Sequence, residues 1–185
     1  MILKDADDKS KHIFELEKLV AIAPTNRKDG IQQEIRMMRA GIKGEEEAAY
    51  LINFDLGSSN NTAIIHDLRL VIGDRIAQID HLLIHRTLNV FVLETKHFHA
   101  GMKITENAEF LRWNQYKKTY EGMASPIAQN ERHITVLKDA FHQIEMPKKL
   151  GMRFLPSFTP MYWFRQMLVL TALSNWTLAI LLKRI

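Results

Sequence analysis

Apolar residues recur at two different periods along this chain, and the change from one to the other outlines the fold. From Ser10 to Ala23 the spacing is helical, with Ile13, Leu16, Leu19 and Val20 on one face and Pro24-Thr25-Asn26 closing the segment. A second helical stretch runs from Ile31 to Phe54 and carries Gly41 and Gly44. Each interior glycine costs about 1 kcal/mol relative to alanine, so a helix break or close packing is expected there. Asp55 to Thr62, with its Gly-Ser-Ser-Asn-Asn run, reads as a loop. The spacing then becomes extended. Ala63–Ile72, Ile76–His85 and Asn89–Lys96 are rich in Ile, Leu and Val, and Gly73-Asp74 and Arg86-Thr87-Leu88 separate them as in an antiparallel meander. The second and third strands are apolar on both faces, which calls for cover on both sides. Met102–Phe110 is expected to add a strand.

Helical spacing returns after Ser125-Pro126, a good N-cap followed by a residue suited to the first helical position. Ile127, Ile134, Leu137, Phe141 and Ile144 form the stripe, and Pro147 stops it. Helix, three or four strands, then helix predicts an α+β or mixed α/β domain. The last apolar run, Met167–Leu182, has 16 uncharged residues, fewer than the roughly 20 of a membrane span. Ser174 and Asn175 divide it into a buried strand and a short helix; a membrane anchor or a partner surface is the alternative.

Composition narrows the chemistry. With 185 residues, 46% hydrophobic and 25% charged, the chain suits one globular domain with a sizeable core. The net charge of +4 suits a phosphate-bearing partner without requiring one. There is no cysteine, which excludes thiol catalysis, Cys-ligated zinc, iron–sulfur clusters and disulfides. Acidic residues stand where a signal peptide would be basic and then apolar, so a cytoplasmic protein is expected. No GxxxxGK[ST] phosphate loop is present, which argues against an ATP-driven motor.

The informative charges lie inside apolar strands. Asp80 sits in Ile-Ala-Gln-Ile-Asp-His-Leu-Leu-Ile, and Glu94 and Lys96 in Val-Phe-Val-Leu-Glu-Thr-Lys. Buried charges are costly unless paired or metal-bound. By alternation, Asp80 shares a face with Leu82 and Ile84, and Glu94 with Lys96 and Val92. If Arg86-Thr87-Leu88 is the hairpin loop, His85 pairs with Asn89 and Asp80 falls opposite Glu94, at a Cβ separation of about 5 Å. A hard divalent cation between two such carboxylates turns repulsion into a site, and Lys96 beside it can hold a phosphate oxygen. On a surface hairpin end the same residues would be an ordinary ion pair.

Two helices contribute further candidates. In Gly41-Ile42-Lys43-Gly44-Glu45-Glu46-Glu47, Glu45 alone shares the helix phase of Ala48, Ala49 and Ile52, at about 100° per residue, so it should point toward the sheet. Gln129 and His133, one turn apart, share a face near the start of the later helix. His81, His85, His97 and His99 have odd-numbered parity, opposite to the acids; zinc is conceivable there, and hydrogen-bonded or solvated histidines are the expectation. Trp113, Tyr116 and Tyr120 follow 3–4 spacing beside Lys117 and Lys118, which suits either base stacking with phosphate contacts or a core stripe with a basic rim.

Gly-x-x-Gly-Glu on a helix, Gln-Ile-Asp-His on a strand, Glu-x-Lys on the next and Ser-Pro-Ile-x-Gln opening a later helix resemble the nuclease-related domain (NERD) family of the PD-(D/E)XK, or restriction-endonuclease-like, nucleases. The resemblance runs from about Met37 to Phe158 and includes Pro147-Lys148-Lys149-Leu150-Gly151; Ser125 departs from the asparagine more usual there. It implies an αβββαβ core, a central mixed sheet flanked by helices, here with an extra N-terminal helix, and a strand near Met167–Thr171 after the last helix. It implies Asp80 and Glu94 as metal ligands, Glu45 as the helix acid that completes the metal site, Lys96 as the catalytic lysine and Gln129 as a supporting group, with Mg2+ or Mn2+ as cofactor. The expected partner is nucleic acid, DNA first, contacted by Trp113, Lys117, Lys118 and His133. The expected organisation is a helical extension over residues 1–30, the nuclease-like domain over 31–172 and an apolar tail over 173–185. The alternatives are a catalytically silent nuclease fold that binds nucleic acid or protein, and a membrane-associated interaction protein using Met167–Leu182.

Overall fold

The chain forms three helices and eleven strands in a computed structural model that describes residues 1–97, 101–114, 117–146, 148–149, 152–153, 155–165 and 168–170. A short strand β1 (Ile2–Lys4) precedes helix α1 (Ser10–Ile22) and the long helix α2 (Thr25–Leu56). The meander follows as β2 (Thr62–Ile72), β3 (Arg75–His85) and β4 (Asn89–His97). Next come β5 (Met102–Ile104), β6 (Phe110–Asn114), β7 (Thr119–Met123) and helix α3 (Pro126–His142). The chain continues through β8 (Lys148–Lys149), β9 (Met152–Arg153), β10 (Ser157–Arg165) and β11 (Leu168–Leu170).

The main sheet has the order β1-β2-β3-β4-β10 and is mixed: β2, β3 and β4 are antiparallel, whereas β1 and β10 join its edges in parallel. Helix α3 covers one face through Ile134 and Leu137, packed on Ile79, Leu82, Val90 and Val92. On the other face Ile52 of α2 packs on Ile64, Leu83 and Leu93. Apolar β3 and β4 are thus covered on both sides, as their composition requires. The path α2, β2–β4, α3, β10 is the αβββαβ core of a restriction-endonuclease-like fold, with α1 as the additional N-terminal helix. A second sheet, ordered β11-β5-β6-β7, joins the body where Met102, Ile104 and Phe110 pack with Tyr162 of β10.

Several expectations are met closely and others are corrected. The three meander strands begin and end within one residue of their expected limits. Ser125 accepts a hydrogen bond from the Ala128 N–H and Pro126 opens α3, which ends at His142; Pro147 lies outside the described residues. Helix α2 does not break at its glycines, because Gly44 is a contact point: a Cβ there would lie 2.8 Å from His97 Cβ. The expected loop at Asp55 is the last turn of α2, and Met102–Phe110 spans parts of two strands. Trp113 and Tyr120 do not share a helix face but pair with each other across the β6–β7 hairpin, and Tyr116 lies outside the described residues.

The core strand after α3 is β10, not Met167–Thr171. Ser157–Arg165 contains Pro160, which β10 accommodates because a sheet edge tolerates a missing N–H. Leu168–Leu170 does form a strand, in the second sheet beside β5. Residues 171–185 lie outside the described residues.

One irregularity of the main sheet bears on function. Ile65 and Leu68 of β2 contact the same α3-side cluster although they are three residues apart, and so do Ile79 and Leu82 of β3. Strict alternation would place such residues on opposite faces. The inside–outside pattern therefore inverts on both strands at the level of Asp67 and Asp80, and Asp67 has a left-handed φ of 47° there.

Candidate active site

Three charged side chains of the two central strands meet at this irregular level. The β3–β4 register sets His81 opposite Leu93 and Ile84 opposite Val90, which is the register the hairpin loop implied. One step further, the Thr95 N–H donates to Asp80 Oδ2 at 2.7 Å, so the side chain of Asp80 closes the gap between the strands. Glu94 is 2% exposed and pairs with Lys96, Nζ to Oε1 2.5 Å. Burial pushes the Asp80 carboxyl up to about 7, helped by the charge of Glu94 and then by that of Glu45; the Thr95 N–H and Lys96 oppose the rise. Two acids thus compete for one region while a single lysine is paired with only one of them.

Glu45 arrives from α2. The close contact at Gly44 seats that turn of the helix against the end of β4, which sets the next residue beside the sheet. Its carboxylate is bound by Lys9 Nζ, which also reaches Asp67 Oδ1 at 2.7 Å. The N–H of Asp7 donates to the other Asp67 oxygen at 2.9 Å. Despite their desolvation, Lys9 is held above and Asp67 below its ordinary pKa by these pairings.

Helix α3 supplies the opposite wall. His133 Nδ1 lies 3.6 Å from Glu94 Oε2, so the residue expected to contact nucleic acid stands against the acid pair. Gln129 is half-buried on the same helix. The fully buried polar side chain of this turn is its neighbour Asn130, whose Nδ2 donates to the carbonyls of Val92 (2.9 Å) and Met161 (3.2 Å). These two bonds tie β4 and β10 to α3. Sequence reading missed it, although it falls in phase with Ile127, Ile134 and Leu137.

The remaining candidates lie elsewhere. Trp113 makes an edge-on contact with Tyr120 at 5.1 Å on the second sheet, Lys117 pairs with Glu121 at 2.8 Å, and Lys118 is exposed. Among the described residues the odd-numbered histidines do not converge. His81 and His66 are buried with their Nδ1 atoms 2.8 Å apart, and His66 Nε2 contacts Asn53 Oδ1 at 3.0 Å. His85 binds Thr87, His97 lies at Gly44, and His99 is outside the described residues.

The donor chemistry of Asp80 and Glu94 fits a hard divalent cation: two carboxylates, Glu94 buried and Asp80 half-buried, with desolvation first and then the charge of Glu94 raising the pKa of Asp80. Among the described residues no three His, Asp or Glu side chains converge closely enough to enclose an ion. Glu45, the third acid, is drawn instead toward Lys9.

The profile of the nuclease-related domain family matches residues 40–171. The chain belongs to that family. The NERD match takes in Glu45, Asp80, Glu94, Lys96 and Gln129, and places the chain among the PD-(D/E)XK-like nucleases. Lys9, which binds two of the site's acids, precedes the matched NERD range. No curated protein and no solved structure matches the chain.

Proposed function

We propose that this NERD chain is a metal-dependent nuclease that hydrolyses phosphodiester bonds in nucleic acid, with DNA as the first substrate. The observation that carries the reading is buried Glu94 coupled to half-buried Asp80, with Lys96 beside them, a charge arrangement that a hard cation and a phosphate would complete. Asp80 and Glu94 would hold Mg2+ or Mn2+, with Glu45 reaching it directly or through water. When bound, such an ion lowers the pKa of a water molecule and neutralises charge on the scissile phosphate. Lys96 then has two tasks. It balances Glu94, and its ammonium stands next to the ion's ligands, where it holds a phosphate oxygen and meets the negative charge that develops there. Gln129 and His133 line the α3 side and orient the backbone or a water. Trp113, Lys117 and Lys118 offer stacking and phosphate contacts on the second sheet.

The test is cleavage of plasmid and single-stranded DNA by the purified protein in Mg2+ or Mn2+. Asp80→Ala and Glu94→Ala should each lower the rate at least about 100-fold, within the range that positioned electrostatic groups contribute. Cleavage by both variants at the wild-type rate would sink the assignment.

A second reading has specific support. Glu45 is paired with Lys9 rather than turned onto the acid pair, as in a nuclease fold retained for binding alone. Nucleic-acid binding in EDTA, with no cleavage in any metal, would favour it. For a membrane role, no helix among the described residues is long and apolar enough to cross a bilayer.

A further inference from the structure

The segment before α1 is held to the sheet at several points. The Ile64 N–H donates to the Met1 carbonyl at 2.9 Å, and β1 pairs in parallel with β2. Lys4 Nζ reaches the His66 carbonyl at 3.0 Å and the carboxylate of Asp7 at 2.6 Å. The Asp7 N–H then binds Asp67, and Lys9 follows two residues later with its ammonium between Asp67 and Glu45. Its side chain is 21% exposed and that of Asp67 6%, so this is a largely enclosed contact rather than a surface pairing.

The position matters because of what Lys9 touches. Asp67 falls between the paired residues His66–His81 and Leu68–Ile79, level with Asp80 on the neighbouring strand. Glu45 is close enough for its charge to act on Asp80. Lys9 therefore supplies the only positive charge among the described residues shown bridging the two acids that flank the Asp80–Glu94 pair from α2 and β2. A carboxylate turned toward an ammonium is not turned toward a cation on its other side, which accounts for the lack of three converging ligands.

Resting on the nuclease reading above, we propose that Lys9 is a built-in counter-ion that occupies the helix acid, and that a divalent ion seated on Asp80 and Glu94 displaces it from Glu45. The arm formed by residues 1–9 then acts as an internal competitor that sets the metal affinity of the site. Asp67 retains the ammonium when Glu45 lets it go, so the arm stays docked while the ligand set closes.

Two measurements on the full chain test this, both independent of cleavage. In the first, lysines of the wild-type protein are acylated with an N-hydroxysuccinimide ester with and without Mn2+, and modification is read by mass spectrometry. Lys9 should become at least threefold more reactive in Mn2+, whereas exposed Lys18 should not change. In Asp80→Ala the Mn2+ effect on Lys9 should vanish. In the second, Mn2+ affinity is measured by titration calorimetry. Lys9→Met should bind at least fivefold more tightly than wild type, and Lys9→Arg, which keeps the charge, should stay near it.

If wild type binds Mn2+ through Asp80 while Lys9→Met binds equally or more weakly and Lys9 reactivity is unchanged, the counter-ion role is overturned and the metal site stands. If neither protein binds Mn2+, the metal-dependent reading fails and takes this inference with it. Should Lys9→Met lose its circular-dichroism signature, the wild-type footprint decides alone.

Discussion

Asp80 and His81 are adjacent in the chain and are pushed in opposite directions by the same burial. Asp80 rises from 3.8 to about 7, so the folded chain binds its proton more tightly than the unfolded chain does. Metal-free protein should then lose stability as the pH is raised from about 4 through 7, the reverse of a salt-bridged aspartate. Asp80→Asn removes that slope: by scanning calorimetry in EDTA at pH 8 its Tm should exceed wild type by about 3 °C or more. His81 falls from 6.5 to about 3, first because of burial and then because of His66, whose pKa is also lowered. With the two Nδ1 atoms in contact, one nitrogen donates and the other accepts, so a second proton would set N–H against N–H. This contribution is complete above pH 6.5 and declines as the pH falls toward 3. The His81 ring resonances should hold constant between pH 8 and 5 in NMR spectra; a titration midpoint near 6.5 would contradict the buried pair.

At the level of elements, the site depends on how α2 meets β4. The two glycines of Gly41-Ile42-Lys43-Gly44 are equivalent in helix propensity but not in space. Beyond the helix's own backbone, nothing lies within 4 Å of a Cβ built at Gly41, whereas at Gly44 it meets His97 Cβ at 2.8 Å. Gly41→Ala should stabilise the protein by about 1 kcal/mol in urea unfolding, because it removes only the entropic cost of glycine. Gly44→Ala should destabilise it by about 1–3 kcal/mol, since backbone or strand must yield, and should also weaken cleavage by shifting Glu45. Equal effects at the two positions would show that α2 does not rest on His97.

At the scale of the whole molecule, the second sheet is joined to the nuclease-like core, among the described residues, through an apolar cluster. Phe110, 3% exposed, packs there with Met102, Ile104 and Tyr162, with Met123 and Ile127 at its border. Phe110→Ala should cost about 3–5 kcal/mol, a typical value for a buried phenylalanine, by chemical denaturation. Because Ile127 lies in the first turn of α3 and Tyr162 on β10, the loss should lower the stability of the core as well as that of the hairpin. A second transition confined to the hairpin would mean that the sheets fold independently.

Much of this protein was legible from local rules. The limits of β2, β3 and β4 followed from Ile/Leu/Val runs and turn residues. The β3–β4 register followed from one loop, because each antiparallel pair is set by its distance from the turn. Ser125-Pro126 marked the start of α3, and helix phase separated Glu45 from its two glutamate neighbours. What these rules could not reach lies in contacts between distant residues. Lys9 finds Glu45 across 36 positions and Asp67 across 58, and nothing near Lys9 distinguishes it from any other surface lysine. Asn130 shares the phase of the apolar stripe of α3, but its role as a donor is set only when β10 is laid beside β4 and two carbonyls need one. Pro160 is compatible with a strand only because β10 is an edge. Periodicity and turn chemistry are properties of neighbours in sequence, whereas the partner of a buried charge is set by which elements pack together.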